Sequence, residues 1–203
     1  ADITQVLSFN STHLSAYNLT IEPNTEFAKF IPANLPNDDL CYAMQDQIIH
    51  QLSTHGFQRY ETSAYAQKAH QAQHNLNYWQ FGDYLGIGAG AHSKLSFHDK
   101  IIRQSRHKHP QEYMKRILNQ QQILENTVIQ KSDLSLEFMM NALRLTNGFS
   151  NQLFSETTSL PFSQILPQLL SAQQQGFLEL TPTKIIPTEQ GRDFLNNLLE
   201  IFM

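Results

Sequence analysis

The first third of the chain alternates short segments of β-branched and aromatic residues with one clear amphipathic helix. Residues 12–21, THLSAYNLTI, predict a buried strand by their β-branched and aromatic content. Asn37 offers an N-cap for a helix to about His55, because apolar residues recur there every three or four positions and Gly56 follows as a stop. A second strand over 57–65 completes an order typical of a parallel βαβ unit.

The middle of the chain is polar and then rich in glycine. After the polar stretch 66–77, we expect the segment 84–92, YLGIGAGAH, to be a short buried strand whose end is stripped of side chains. Residues 93–109 show weak periodicity and contain a basic cluster, so we interpret them as a linker. The cluster is either a solvated connector or a contact for an anionic ligand.

From Pro110 onward the pattern changes to helices. Pro110 suits a first helical turn and predicts a helix to about Asn126. Ser132 with Asp133 starts another, which ends near Gly148. The remaining predicted elements are two helices, a hairpin around a Thr-Pro-Thr turn and a closing helix, over 151–157, 161–175, 177–186 and 188–202. This order resembles a winged-helix module.

Composition and charge exclude several classes of protein. The single cysteine, Cys41, excludes an internal disulfide and a multi-cysteine metal or iron–sulfur site. No run approaches the roughly 18 apolar residues of a membrane span, and no signal-peptide pattern opens the chain. The net charge of −4 argues against nucleic-acid binding, which needs clustered positive charge. We therefore expect a cytoplasmic protein whose helical module packs or forms a lid.

We expect His74, Tyr78 and Trp79 to stand together in a polar loop just before the glycine-rich segment. An imidazole can ligate heme iron and aromatic faces can stack on a porphyrin, so the trio suits a large, flat, apolar ligand. By spacing alone, a second interpretation fits as well: His74 is a surface histidine and Trp79 a core anchor. The glycines that follow either let the backbone approach a nucleotide or porphyrin, or only permit tight packing.

Two motifs resemble the signature of the HemW family, the heme-carrying branch of the radical-SAM coproporphyrinogen III oxidases: HNLNYW over 74–79 and DYLGIGAGAH over 83–92. Upstream, the segment 13–23 resembles the last strand of that family's barrel, and 60–66 resembles the segment after it. The segment Ile101-Ile102-Arg103, Pro110, Tyr113 and the closing helical module resemble the family's C-terminal domain. The resemblance therefore covers nearly the whole chain.

The resemblance implies an α/β fold in two parts. Residues 1–98 would be the last strand–helix units of a partial radical-SAM (βα) barrel, and 99–203 a mainly α, winged-helix-like C-terminal domain with a small β-hairpin. It implies that heme is held by His74 as iron ligand, with Tyr78 and Trp79 packed on the ring. A pocket for S-adenosylmethionine or heme would be lined by Thr20, Gly88, Gly90, Ala91 and His92.

For full-length relatives the resemblance implies S-adenosylmethionine and a [4Fe-4S] cluster on three closely spaced cysteines, which this chain cannot supply. One hypothesis is a heme-binding, heme-trafficking protein that passes heme to an acceptor protein. The alternative is part of an oxygen-independent coproporphyrinogen III dehydrogenase of porphyrin biosynthesis whose cluster-bearing half is missing, so this chain alone would not be an enzyme. We also expect self-association through an uncovered barrel edge, no nucleic-acid partner, and a place in the cytoplasm, either free or peripheral at the membrane.

Overall fold

The computed structural model describes residues 2–121 and 123–203. The chain forms two compact units, which meet in sequence between Ala72 and Gln73. The sequence places the domain boundary after residue 98, whereas in the structure residues 73–98 pack with the second unit. None of the helices within the described ranges has the length and apolar character of a membrane span.

The first unit combines helices with a three-stranded sheet. Its central helix begins after Asn37, as predicted, because the Asn37 side chain accepts a hydrogen bond from the Leu40 amide at 3.0 Å. The elements within residues 2–72 are α1 (Asp2–Leu7), β1 (His13–Ser15), α2 (Glu26–Lys29), α3 (Asp38–Ser53), β2 (Gln58–Arg59) and β3 (Ala64–Ala66).

The predicted parallel pairing in this unit is wrong. The strand order is β1-β3-β2, and β3 runs antiparallel to both neighbours. A tight turn over 61–63 causes this, since the Tyr60 amide donates to the Ala64 carbonyl at 3.1 Å and Arg59 donates to the Thr62 carbonyl at 2.7 Å. β1 and β2 still run in the same direction, but β3 lies between them.

The first unit buries few apolar side chains. Its core consists of Leu52, Phe57 and Tyr65, with partly buried neighbours from α1, β1 and α3. Tyr17 and Phe30 are 76% and 74% exposed. These exposed aromatic side chains fit the uncovered face expected of a partial barrel.

The second unit contains two further three-stranded antiparallel sheets, ordered β4-β5-β6 and β7-β9-β8. The elements within 73–121 and 123–203 are α4 (Gln73–Trp79), β4 (His92–Ser96), β5 (Ile101–Arg106), α5 (Pro110–Leu118), β6 (Ile123–Val128), α6 (Leu134–Ala142), β7 (Phe149–Ser150), α7 (Asn151–Thr158), a 3-10 turn (Phe162–Gln164), α8 (Leu166–Gln174), β8 (Leu178–Leu180), β9 (Lys184–Pro187), α9 (Glu189–Asp193) and α10 (Leu195–Glu200).

Three predictions for the segment 66–109 are wrong. The polar stretch around His74 is not a loop but helix α4, which contains no glycine and no β-branched residue. The glycine-rich segment is not a strand, because Gly88 and Gly90 have φ angles of +109° and +72°. The expected linker 93–109 instead forms the hairpin β4–β5, whose Ile101 and Ile102 are buried.

The helix that starts at Pro110 ends at Leu118 instead of near Asn126. Gln120 adopts a left-handed φ of +56°, which turns the chain out of the helix. The β-branched residues that follow then form β6 and pair with β5.

The C-terminal elements follow the predicted order, but three helices differ in extent. Helix α6 ends at Ala142 instead of near Gly148, the helix expected over 161–175 is the 3-10 turn followed by α8, and the helix expected over 188–202 is divided into α9 and α10. Ser150 caps α7 by accepting from the Leu153 amide, and Thr188 caps α9 by accepting from the Gly191 amide. The hairpin β8–β9 forms the wing beside α6, α7 and α8. Fully buried Phe138 lies at the centre of this unit and meets the rings of Phe81, Phe149 and Phe154 with centroids 5.6, 4.9 and 5.2 Å away.

We expect Phe138→Ala to lower the free energy of unfolding of the second unit by about 3–5 kcal/mol, because it empties a site enclosed by three aromatic rings. Trp79 is the single tryptophan of the chain and lies in this unit, so its fluorescence during urea denaturation measures the change. Met140→Ala on the same helix is the control, since Met140 is 49% exposed and its loss should change stability by less than about 1 kcal/mol. Equal effects of the two substitutions would contradict this description of the core.

Candidate functional site

His74 and Tyr78 lie one turn apart on α4 and therefore share a face of the helix. Their ring centroids are 4.6 Å apart and their planes meet at 81°. Tyr78 also meets the ring of Tyr84, at 4.6 Å and 77°. His74 is exposed, while both tyrosines are half-buried. We call these three side chains, His74, Tyr78 and Tyr84, the aromatic row.

Trp79 makes different contacts from the aromatic row. Its ring lies under the guanidinium group of Arg144, 5.0 Å from the ring centroid. Its indole Nε1 is buried and has no hydrogen-bond partner among the described residues. The structure thus brings His74 and Tyr78 together, but packs Trp79 against the residues that follow α6. The expected stacking of Trp79 on a ligand stays a prediction.

A buried lysine fixes the loop that follows α4. Lys94 is 2% exposed, and its Nζ donates to the Phe81 carbonyl at 2.9 Å, Asp83 Oδ1 at 3.1 Å and Ser96 Oγ at 3.1 Å. These acceptors use all three N–H groups of the ammonium. The Nζ also lies 4.1 Å from the centroid of the Phe81 ring. Lys94 and Tyr84 exchange two backbone hydrogen bonds, at 3.0 and 3.1 Å.

The same loop is tied back to the end of α4. Asn77 Nδ2 donates to the Asp83 carbonyl at 2.9 Å, and the Gly82 amide donates to the Asn77 carbonyl at 2.7 Å. Gly82 is required for this approach, because a Cβ there would lie 2.2 Å from Asn77 Oδ1. The end of α4 is therefore bonded to the loop, and the loop to Lys94 on β4. This chain of bonds positions the aromatic row.

The pKa of Asp83 and that of Lys94 are both lowered. Burial alone would raise the pKa of the Asp83 carboxyl, but hydrogen bonds from the amide and hydroxyl of Ser96 and from Lys94 outweigh it, so the pKa falls below its ordinary value. Burial lowers the pKa of the Lys94 ammonium, although the Asp83 carboxylate opposes that shift. Lys94 is therefore the partner that loses more solvation.

The glycine-rich segment runs beside the connection between β5 and α5. The Gly88 amide donates to Tyr113 Oη at 3.1 Å, and the Gly90 amide donates to the His107 carbonyl at 2.9 Å. Ala91 accepts from the Arg106 amide at 2.9 Å. These amides and carbonyls are thus bound within the protein, so the segment has a structural role whatever ligand it meets.

His92 opens β4 and is exposed. It lines a cleft of about 420 Å³ together with Arg103, Glu125 and Glu137. Arg103 forms an ion pair with Glu137 and donates to Tyr84 Oη at 3.4 Å, so the cleft adjoins the aromatic row. A role of His92 toward heme or S-adenosylmethionine stays a prediction.

Thr20 lies in the first unit, where it is exposed. It lines a cleft of about 290 Å³ with Tyr17, Gln45, Tyr65 and other residues. Its expected contact with S-adenosylmethionine stays a prediction. Within residues 2–121 and 123–203, no three or more His, Cys, Asp or Glu side chains are grouped so that they could hold a metal ion.

The sequence did not single out the Lys94–Asp83 pair or the Arg103–Glu137 pair. Lys94 lies eleven residues after Asp83 and Glu137 lies 34 residues after Arg103, so no helical or strand spacing links either pair. Asp83, Tyr84 and Arg103 all occur within or beside the segments that resemble the HemW family, and that was the available signal.

The fold of this chain is shared with proteins of known structure and family. Residues 129–194 match the HemN C-terminal domain family. The whole chain resembles the structure of coproporphyrinogen III oxidase (HemN) from Escherichia coli, described as a radical SAM enzyme, with a TM-score of 0.73 and 17% sequence identity; the match covers 98% of this chain and 50% of that one. The predicted α/β fold class is confirmed.

The relatives with higher sequence identity than HemN are described as heme chaperones. The chain is 44% identical over 204 residues to the heme chaperone HemW of Escherichia coli (strain K12) and 42% identical over 203 residues to that of Haemophilus influenzae; both alignments cover 100% of this chain and 52% of the relative. The Bacillus subtilis HemW is 26% identical. The chain spans about half the length of these curated relatives. The predicted resemblance to the HemW branch of the radical-SAM coproporphyrinogen oxidase family is confirmed.

We expect Asp83→Asn to destabilise the second unit more than Lys94→Met does. Asp83→Asn leaves a buried ammonium without its carboxylate, which should lower the free energy of unfolding by about 3–5 kcal/mol. Lys94→Met removes the buried charge and leaves the partly exposed Asp83 carboxylate to water, so it should lower that free energy by only about 1–3 kcal/mol. The double variant should therefore be more stable than Asp83→Asn alone. Urea denaturation of the three variants measures the order, and additive losses would show that the pair is not coupled.

The lowered pKa of Asp83 predicts an acid-side dependence of stability. Because the folded-state pKa lies below the ordinary value of 3.8, ionised Asp83 contributes its full stability above that value and loses it as the pH falls through the lowered pKa. The difference in unfolding free energy between wild type and Asp83→Asn should shrink from about pH 5 toward about pH 3. A difference that grows on acidification would refute this assignment.

Proposed function

We propose that this chain is the heme-binding part of a heme-trafficking protein, with His74 as the iron ligand and Tyr78 packed on the porphyrin. The observation that carries the proposal is the arrangement of those two rings on one face of α4. His74 is exposed, so a ligand can reach its imidazole from solvent. The 44% identity to a heme chaperone over the whole chain supports the same function.

The ring geometry fits a porphyrin. An imidazole that binds iron stands upright on the porphyrin, because the lone pair of its nitrogen lies in the plane of the imidazole. The Tyr78 ring is inclined by 81° to His74. A porphyrin parallel to the Tyr78 ring would therefore be nearly perpendicular to the plane of the His74 ring, which is the relation between planes that iron ligation by an imidazole requires. Bound heme would supply the iron centre, while His74 binds it and Tyr78 covers the ring.

Trp79 fits this proposal as the residue that anchors α4. The Arg144 guanidinium lies over its ring, 5.0 Å from the centroid, and so occupies one face of the indole. In its present place, Trp79 holds the helix against the second unit, and so keeps His74 and Tyr78 on the surface. Its effect on heme binding would then act through the position of α4.

The radical-SAM cofactors concern the full-length relatives. Those relatives imply S-adenosylmethionine and a [4Fe-4S] cluster in the complete protein. The single cysteine, Cys41, does not fit the family's three-cysteine cluster site, so no step is assigned to a cluster on this chain. The cleft at Thr20 is the place where we propose contact with S-adenosylmethionine. The structural likeness to HemN, at 17% identity, shows the fold and assigns no oxidase activity.

Transfer of heme requires an acceptor protein, and we include one in the proposal. The exposed apolar side chains of the first unit support self-association or the docking of such a partner. On α5, Met114 and Leu118 are 58% and 85% exposed, with Lys108 and Lys115 close by in sequence. This amphipathic surface supports peripheral attachment to a membrane from the cytoplasm.

A hemin titration followed by absorbance tests the function. Wild type should bind hemin saturably with the Soret spectrum of ligated iron, and His74→Ala should lose that spectrum because the iron ligand is gone. His98→Ala is the matched control, since His98 is another exposed histidine in the turn between β4 and β5. The proposal fails if His74→Ala and His98→Ala both bind as wild type does, or if wild type does not bind.

A further inference from the structure

We propose that Arg103 supplies the cation that pairs with a propionate carboxylate of the tetrapyrrole at the aromatic row. The inference rests on the proposed function, because it assigns a role within the same site. It adds a ligand contact and a specificity: the site should prefer tetrapyrroles with free carboxylates.

The backbone pairing places Arg103 at one end of the aromatic row. Tyr84 pairs with Lys94 across an isolated antiparallel bridge, and Lys94 pairs with Arg103 in the β4–β5 ladder. Directly opposed residues of antiparallel strands place their side chains on the same face. Consistently, Arg103 Nη1 lies 3.4 Å from Tyr84 Oη. Since Tyr84 packs on Tyr78, Arg103 lies beside the Tyr84 end of the aromatic row.

Arg103 has donors that a ligand can reach, and Lys94 does not. Lys94 is 2% exposed and its three N–H groups are all bound. Arg103 carries five N–H groups. Nε and Nη2 donate to Glu137, and Nη1 donates to Tyr84, so two N–H groups have no acceptor among the described residues. The Arg103 side chain is also 36% exposed.

The chemistry of the ligand matches this group. A guanidinium binds carboxylates through paired N–H donors, and it keeps its charge at any physiological pH. A heme-type tetrapyrrole carries two propionates as its charged groups. Arg103 therefore offers the complement to the polar edge of a ligand whose flat face lies on Tyr78.

The surroundings of Arg103 include a carboxylate that competes with the ligand for its guanidinium group. Glu137 already pairs with Arg103, and its side chain is 28% exposed. Glu125, Asp133 and His92 also line the adjoining cleft. A ligand propionate must compete with the Glu137 carboxylate for one guanidinium. Removing Glu137 should then strengthen hemin binding, while removing Arg103 should weaken it.

Titrations with hemin and with its dimethyl ester, in one detergent buffer, test the proposal. Arg103→Gln should weaken hemin binding roughly fivefold and leave ester binding unchanged, because the ester has no free carboxylate. Glu137→Gln should bind hemin more tightly than wild type, because it removes the carboxylate that competes for Arg103. Arg116→Gln is the matched control: Arg116 also pairs with a glutamate, Glu112, and is 42% exposed, yet it lies on α5 away from the row, so it should bind as wild type does.

Opposite signs at Arg103 and Glu137 distinguish a ligand contact from a purely structural ion pair. If both substitutions weaken hemin and ester binding alike, the pair only supports the fold and the inference is wrong. It is also wrong if Arg103→Gln binds hemin as wild type does while His74→Ala loses the ligated spectrum; the proposed function then stands without it. If wild type binds neither porphyrin, both proposals fall.

Discussion

The ammonium group of Lys94 is held inside the protein by a carbonyl, a carboxylate and a hydroxyl, and the candidate site depends on that constraint. A charge at 2% exposure is stable there only while all three acceptors stay in place. Two of them, the Phe81 carbonyl and Asp83, belong to the loop that follows α4. The lysine thus fixes the loop, and the loop fixes the end of the helix that carries His74 and Tyr78.

The site is exposed, yet the loop beside it is bonded to the interior of the unit. Phe81 continues into the aromatic core around Phe138, so the loop is fixed from the core side as well as by the ion pair. His74 and Tyr78 lie at the surface above this support. A ligand site on a rigid element loses little conformational freedom when it binds. This support costs the Lys94 ammonium its solvation, and burial lowers the pKa of that group.

The sequence predicted the elements whose signals are local. The Asn37 N-cap and apolar spacing located α3, and the Thr-Pro-Thr turn located the wing. It did not predict β4 and β5, because Lys94, Ser105 and Arg106 are buried there by partners distant in sequence. The same reason explains the site: the i,i+4 spacing could unite His74 with Tyr78, whereas the contacts of Trp79 with Arg144 arise only in the folded chain.

A crystal structure of this chain with hemin bound would test the central claim most directly. Our account predicts iron bonded to the imidazole of His74, the Tyr78 ring parallel to the porphyrin, and the contacts of Lys94 with Phe81 and Asp83 unchanged. Iron bonded to a different residue such as His92, or a porphyrin seated away from α4, would contradict it.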